Sequence, residues 1–236
     1  MWLIVEYRPS TFFSLRPANA TTSGGKTLVT PTPFALKMAL LDVAVRLYGR
    51  AQGETWFPHL RDLAVAAQLP QHLTVVNTFI KIMRPHKSGP KDTFGTGVVG
   101  PMGNTIAYRE FVQYGGALWL ALETKGDAPW LKLLAQVNYL GKRGGFMQFA
   151  GWEESETLPT SFTRLNPEPG APFRADGLLQ VLDDCGPKMT FAHADIYSGK
   201  IINLDKPNGR VLQPVVLPYR QVQSSRGFTL YERIAG

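Results

Sequence analysis

An α+β fold of the ferredoxin-like type, the βαββαβ order that RNA-recognition modules also use, is predicted for this chain. Three observations predict it: an apolar run at the N-terminus, two Pro-led helical stretches, and β-patterned segments between and after them. A change of composition after Trp152 adds a smaller β-rich C-terminal region.

Residues 2 to 7 are almost wholly apolar or aromatic and end at Arg8-Pro9, which reads as a first strand closed by a residue that cannot donate to a ladder. Residues 8 to 31, with Pro9, Pro17, Gly24, Gly25 and Pro31 among Ser and Thr, read as a long connection; it holds Arg16 and Lys26 and no acid after Arg8. Thr32-Pro33 opens the clearest helix, Thr32 capping and Pro33 at the first helical position, with Phe34, Met38, Leu41, Val45 and Tyr48 as its apolar stripe and Lys37, Asp42 and Arg46 as its polar face. A second, weaker helical segment is expected over residues 58 to 68.

Leu73 to Met83 alternates as a strand and runs into Arg84-Pro85-His86-Lys87-Ser88-Gly89-Pro90-Lys91, an octet without an acid. Gly95, Gly97, Gly100 and Gly103 then rule out a regular helix. Strand character returns at Thr105 to Val112 and Ala117 to Glu123, with Gly115-Gly116 as the turn between them. Asp127 is expected to cap a helix with Pro129 just inside, carrying Trp130, Leu131, Leu134 and Val137 and ending at Gly141. Phe146 to Trp152 reads as the next strand.

Past Trp152, Glu153, Glu154 and Glu156 give way to Pro159, Pro167, Pro169 and Pro172, which marks a boundary. The expected organisation is a ferredoxin-like RNA-binding domain over residues 1 to 152, a basic insertion at about 84 to 104, and a β-rich region over residues 153 to 236. Strand-like pieces in that region are Met189 to His193, Val211 to Val216 and Gly227 to Ile234.

Charge divides the chain in the same place. Residues 1 to 150 carry 16 Lys+Arg against 8 Asp+Glu, and residues 151 to 236 carry 9 against 10. The first part therefore suits a polyanion and the near-neutral tail suits protein contacts. The lone Cys185 excludes an internal disulfide framework, and His59, His72, His86 and His193 have no zinc-site spacing, so no metal and no cofactor is expected. With no basic-flanked leader and no apolar run of about 18 residues, a soluble, cytoplasmic protein without a membrane partner is the expectation.

Four sets of residues carry candidate chemistry. Gly24-Gly25-Lys26-Thr27 lacks the first glycine of a phosphate loop, Ala20 standing there, and Val29-Thr30-Pro31 follows in place of a helix, so it reads as a flexible basic loop. In Gly141-Lys142-Arg143-Gly144-Gly145-Phe146, the alternatives are a helix cap with a tight turn, or amides of Gly144 and Gly145 approaching phosphates beside Lys142 and Arg143. Tyr139 and Phe146 are open between base stacking and core. Arg84, His86, Lys87 and Lys91 read either as a solvated loop or as a finger tracking a phosphate backbone. His86, Lys87 and Tyr108 also allow a metal-independent ribonuclease set, one group deprotonating a ribose 2′-hydroxyl and another stabilising the developing charge.

With the βαββαβ order, the loop before Thr32-Pro33-Phe34-Ala35-Leu36-Lys37-Met38-Ala39-Leu40, the basic insertion before Tyr108 and the glycine loop in view, the chain resembles the Cas5 family of the RAMP superfamily. These proteins are subunits of type I CRISPR Cascade effectors in antiviral defence. The resemblance implies a palm formed by the ferredoxin-like domain, a thumb formed by the insertion around Arg84 to Gly103, and capture of the 5′ handle of CRISPR RNA. It makes Arg16, Lys26, Lys37, Lys142 and Arg143 the handle-facing cations, and backbone and large subunits the protein partners, leaving contact with target DNA through the complex open. It also implies a non-catalytic role, although one subtype matures its own RNA. The alternatives are a repeat-processing endoribonuclease and a stand-alone RNA-recognition protein.

Overall fold

The computed structural model describes residues 1–20, 25–85, 102–141, 144–172 and 174–234. Its first sheet is built on β1 (Trp2–Pro9), whose consecutive apolar residues Trp2, Leu3, Ile4 and Val5 suit a strand covered on both faces. Leu3, Val5 and Tyr7 point into the main core, and Trp2 and Ile4 point to the opposite face. Antiparallel pairing joins β1 to β5 (Leu118–Glu123) on one side and β6 (Met147–Ser155) on the other. β2 (Ala64–Gln68) pairs with β5, and the short β7 (Thr163–Arg164) closes that edge, giving the order β6-β1-β5-β2-β7. The four strands of the βαββαβ repeat thus lie in the order fourth, first, third, second, which is the antiparallel arrangement of the predicted α+β, ferredoxin-like fold.

The expected second strand is replaced. Residues 58 to 68, read as helical, divide into the end of α2 (Arg50–Arg61) and β2. Alanine-rich Ala64-Val65-Ala66-Ala67 has helix propensity, but its small side chains fit a central strand on which Ala66 meets Trp2, Ala121, Leu158 and Phe162. Leu73 to Met83 lies within β3 (His72–Pro85), which pairs along its length with β4 (Met102–Tyr114). That hairpin belongs to a second sheet, β10-β11-β3-β4, completed by β10 (Tyr219–Ser224) and β11 (Phe228–Arg233). The insertion accordingly begins near His72. Gly115-Gly116 joins β4 to β5 across the two sheets.

α1 (Pro33–Tyr48) begins as its sequence dictates, Thr32 Oγ1 accepting from the Ala35 N–H at 3.1 Å with Pro33 just inside. Its buried face is Leu36, Lys37, Leu40, Leu41, Val43 and Ala44; Met38 and Val45 are half-buried and Tyr48 is exposed. The helix is apolar on most sides, so its neighbours decide which side is covered. α3 (Trp130–Ala135) starts after Pro129 without the expected Asp127 cap and ends well before Gly141.

The strands of the tail are divided among three sheets. The 152/153 boundary falls inside β6, β7 extends the first sheet, and β11 pairs with β3. β8 (Leu178–Cys185) and β9 (Arg210–Leu217) form a hairpin packed against α1, while Met189 to His193 becomes the start of α4 (Phe191–Ala194) in place of a strand. Among the described residues no helix is long and apolar enough to cross a membrane.

Candidate nucleic-acid interface

A cleft of about 580 Å³ runs along the outer side of α1. That is within the range of about 300–1,000 Å³ usual for ligand sites. Phe34, Ala35, Met38, Ala39 and Asp42 line one wall, because positions four residues apart share a helix face. The opposite wall comes from the long connection. Phe13 bonds to Val112 at the free edge of β4, and Leu28 N donates to Leu15 O at 2.7 Å, which sets Leu28 antiparallel to Leu15. Arg16, Lys26, Arg109 and, from the tail hairpin, Arg210 bring four cations to the cleft, against the carboxylates of Asp42 and Asp183.

Glu110 organises the basic wall. Its carboxylate accepts from the Thr27 N–H at 2.9 Å and from Lys26 Nζ at 2.6 Å. This hydrogen bond and the Glu110 charge hold the Lys26 ammonium above its usual pKa, so the exposed amine stays charged at neutral pH. Gly25 passes so close to β4 that a Cβ there would lie 2.3 Å from the Tyr108 carbonyl oxygen, and its own carbonyl accepts from Glu110 N. Its glycine serves this strand contact. Arg16 donates to Ala20 O at 2.7 Å and Arg109 to Tyr108 O at 3.2 Å.

The glycine loop closes one end. Tyr139 and Phe146 bridge across it, Met147 N donates to Asn138 O, and Thr11 Oγ1 donates to Gly144 O at 2.7 Å. Gly141 has φ +76°, and a Cβ on it would lie 2.4 Å from Leu15 Cδ2. Tyr139 and Gly141 line the cleft; Gly144, buried Gly145 and half-exposed Phe146 stand outside it. Lys142 and Arg143 lie outside the described residues, as do His86, Lys87 and Lys91. Arg84 sits near the distal end of β3, paired with Gly103.

Lys37 is a correction. It is 1% exposed, its ammonium 2.7 Å from Asp184 Oδ1 and bonded to the Arg61 carbonyl at 2.7 Å, so it fastens β8 and α2 to α1 and does not face the cleft. Burial pushes the Asp184 carboxyl up, opposed by Lys37, Asn166 and the Cys185 N–H. Tyr108 stands on the hairpin away from the cleft, 70% exposed and opposite Phe79, with Lys81 and Ile106 as the next pair on the same face. Nearer the body this face carries Val75 and Val112, so a core-facing row becomes a solvent-facing one where the hairpin projects.

Sequence reasoning missed Arg109, Arg210 and Asp183. Arg109 is one polar residue in an alternating strand, and Arg210 follows the turn Pro207-Asn208-Gly209 in a near-neutral tail; neither position carries a local signal. Among the described residues no group of three or more His, Cys, Asp or Glu is placed to hold a metal.

No family model matches the chain. It is similar to a CRISPR-associated protein Cas5 of Archaeoglobus fulgidus, 22% identical over 204 residues that span 84% of this chain and 86% of the relative. It is also similar in fold to the crystal structure of a CRISPR protein from Archaeoglobus fulgidus, with a TM-score of 0.52, 14% identity, and coverage of 99% of this chain and 92% of that one.

Proposed function

We propose, on the premise that this chain is a member of the Cas5 family, that it is a non-catalytic RNA-binding subunit of a Cascade-type CRISPR effector. The observation that carries the reading is the convergence of Arg16, Lys26, Arg109 and Arg210 on one cleft beside α1. Cations clustered in a concave site supply the sequence-independent attraction to a phosphate backbone. The apolar wall of Met38, Ala35 and Ala39 offers a base or sugar a place to pack.

In this reading the cleft holds the 5′ handle of CRISPR RNA. The projecting β3-β4 hairpin is the thumb. Phe79, Tyr108 and Ile106, paired across its exposed face with Lys81, form a surface suited to stacked bases. Backbone and large subunits would meet the remaining surface, with antiviral defence as the role of the assembly.

The test is binding of a labelled repeat-derived RNA to purified protein over a salt series. Removing two phosphate contacts by Arg16→Ala/Lys26→Ala should flatten the log K against log[salt] slope by about 1.4 for a single strand. Wild-type affinity and slope in that variant would overturn the cleft assignment. A defined cut of the repeat RNA in the presence of chelator would overturn the non-catalytic role and restore the ribonuclease reading.

A further inference from the structure

We propose that the tail hairpin supplies an RNA-gripping residue, Arg210, whose guanidinium holds a phosphate of the strand in the cleft. This rests on the RNA-binding reading of the cleft and extends it to a part of the chain whose charge pattern suggests protein contacts alone.

The residue is fixed from three sides. Its guanidinium carbon lies 4.1 Å from the centre of the Phe34 ring, and Nη1 donates to Asp183 Oδ2 at 3.2 Å. Its backbone N–H donates to Asn203 O at 2.8 Å, and its carbonyl accepts from the amides of Asp205 and Lys206. The Asp183 side chain is 6% exposed, so its carboxylate is committed to the pair, whereas the Arg210 side chain is 35% exposed and lines the cleft.

A guanidinium carries five N–H donors in a planar fork. The contact with Asp183 engages Nη1, and the Phe34 ring 4.1 Å away adds a cation–π contact that holds the guanidinium in place. An arginine held in this way loses little side-chain freedom on taking up a phosphate, and its remaining donors match two phosphate oxygens.

The sequence around it explains the arrangement. Asp183 and Asp184 are consecutive in β8, so they point to opposite faces. Asp184 goes into the core to meet Lys37 and anchors the hairpin to α1. Asp183 faces the cleft and orients Arg210 on the paired strand. A second tie, from Val29 N to Gln180 Oε1 at 3.0 Å, joins the hairpin to the long connection. One strand therefore both docks the hairpin and aims its arginine.

The test uses full-length protein, labelled single-stranded repeat-derived RNA and a salt series. Arg210→Met should weaken binding about tenfold, as expected for a lost charged hydrogen bond, and reduce the salt slope by about 0.7. A role confined to stapling the hairpin leaves that slope unchanged. Wild-type affinity and slope in a variant that melts like the wild type would overturn the proposal. Should Arg210→Met unfold, photocrosslinking of the wild-type protein to 4-thiouridine RNA decides: adducts on the peptide containing Arg210 support the grip, and adducts confined to other peptides refute it. Arg16→Ala/Lys26→Ala separates the two levels. If that pair weakens binding and Arg210→Met does not, only this inference fails; if neither does, the RNA reading of the cleft fails.

Discussion

Lys37→Met should unfold this protein more readily without weakening its grip on RNA. The substitution keeps the side chain's length and removes the ammonium, leaving Asp184 buried beside Asn166 and the Cys185 N–H, and leaving the Arg61 carbonyl without its 2.7 Å partner. Removing one member of a buried ion pair costs about 3–5 kcal/mol. Domains hold only about 5–15 kcal/mol of net stability, so the loss is a large fraction of the total. For a chain of this length it corresponds to a melting temperature lower by about 6–20 °C. The second substitution, in Lys37→Met/Asp184→Asn, removes the uncompensated charge, and the pair should be coupled by about 1–3 kcal/mol. Thermal and urea unfolding of the two single variants and the double measure this directly. A single variant that melts within 2 °C of wild type, and binds RNA more weakly with a flatter salt slope, would refute the burial argument and return Lys37 to the RNA-facing cations.

Other expectations follow from the same structure. Burial pushes the Cys185 thiol up to about 12, so a thiol reagent at pH 8 should label it far more slowly in native protein than in urea; comparable rates would contradict its placement. Gly141→Ala should cost about 1–2 kcal/mol for its left-handed backbone, seen in urea unfolding, and Gly25→Ala should also lower RNA affinity by moving Lys26 away from Glu110. The Asp195 carboxyl is held below its usual range by the Tyr197 N–H and Arg50, and that of Glu232 by Arg220 and then His72. Depressed carboxyl values add stability that is present above the unfolded values near 4 and lost as pH falls through the folded ones. Asp195→Asn/Glu232→Gln should therefore flatten the acid limb of a stability–pH curve; a limb parallel to wild type would rule this out.

What could be read without coordinates was whatever depends on neighbours in the chain. The apolar run of β1, the Thr32-Pro33 start of α1, the alternating strands of the hairpin and the excess of cations before residue 150 are local patterns with local causes. The ferredoxin-like class followed from them with its second strand misplaced, since Leu73 to Met83 belongs to the hairpin of the second sheet and Ala64–Gln68 holds that position; Arg16 and Lys26 were legible as cations in a stretch without an acid. What escaped was set at a distance. Ala64–Gln68 is a strand because β5 and β7 flank it and Ala66 is buried in the cluster of Trp2, Ile4 and Ala121, which overrides its helix propensity. Lys37 sits on a face that a helix wheel alone assigns to solvent, and the Asp184 carboxylate arriving from 147 residues away makes it an anchor. Arg210 enters the cleft by the converse route, since the period-two geometry of β8 turns one aspartate inward to dock the hairpin and the next outward to aim the arginine. Charge composition is additive along a sequence; the direction in which each charge points is decided by whichever partner the fold brings within bonding distance.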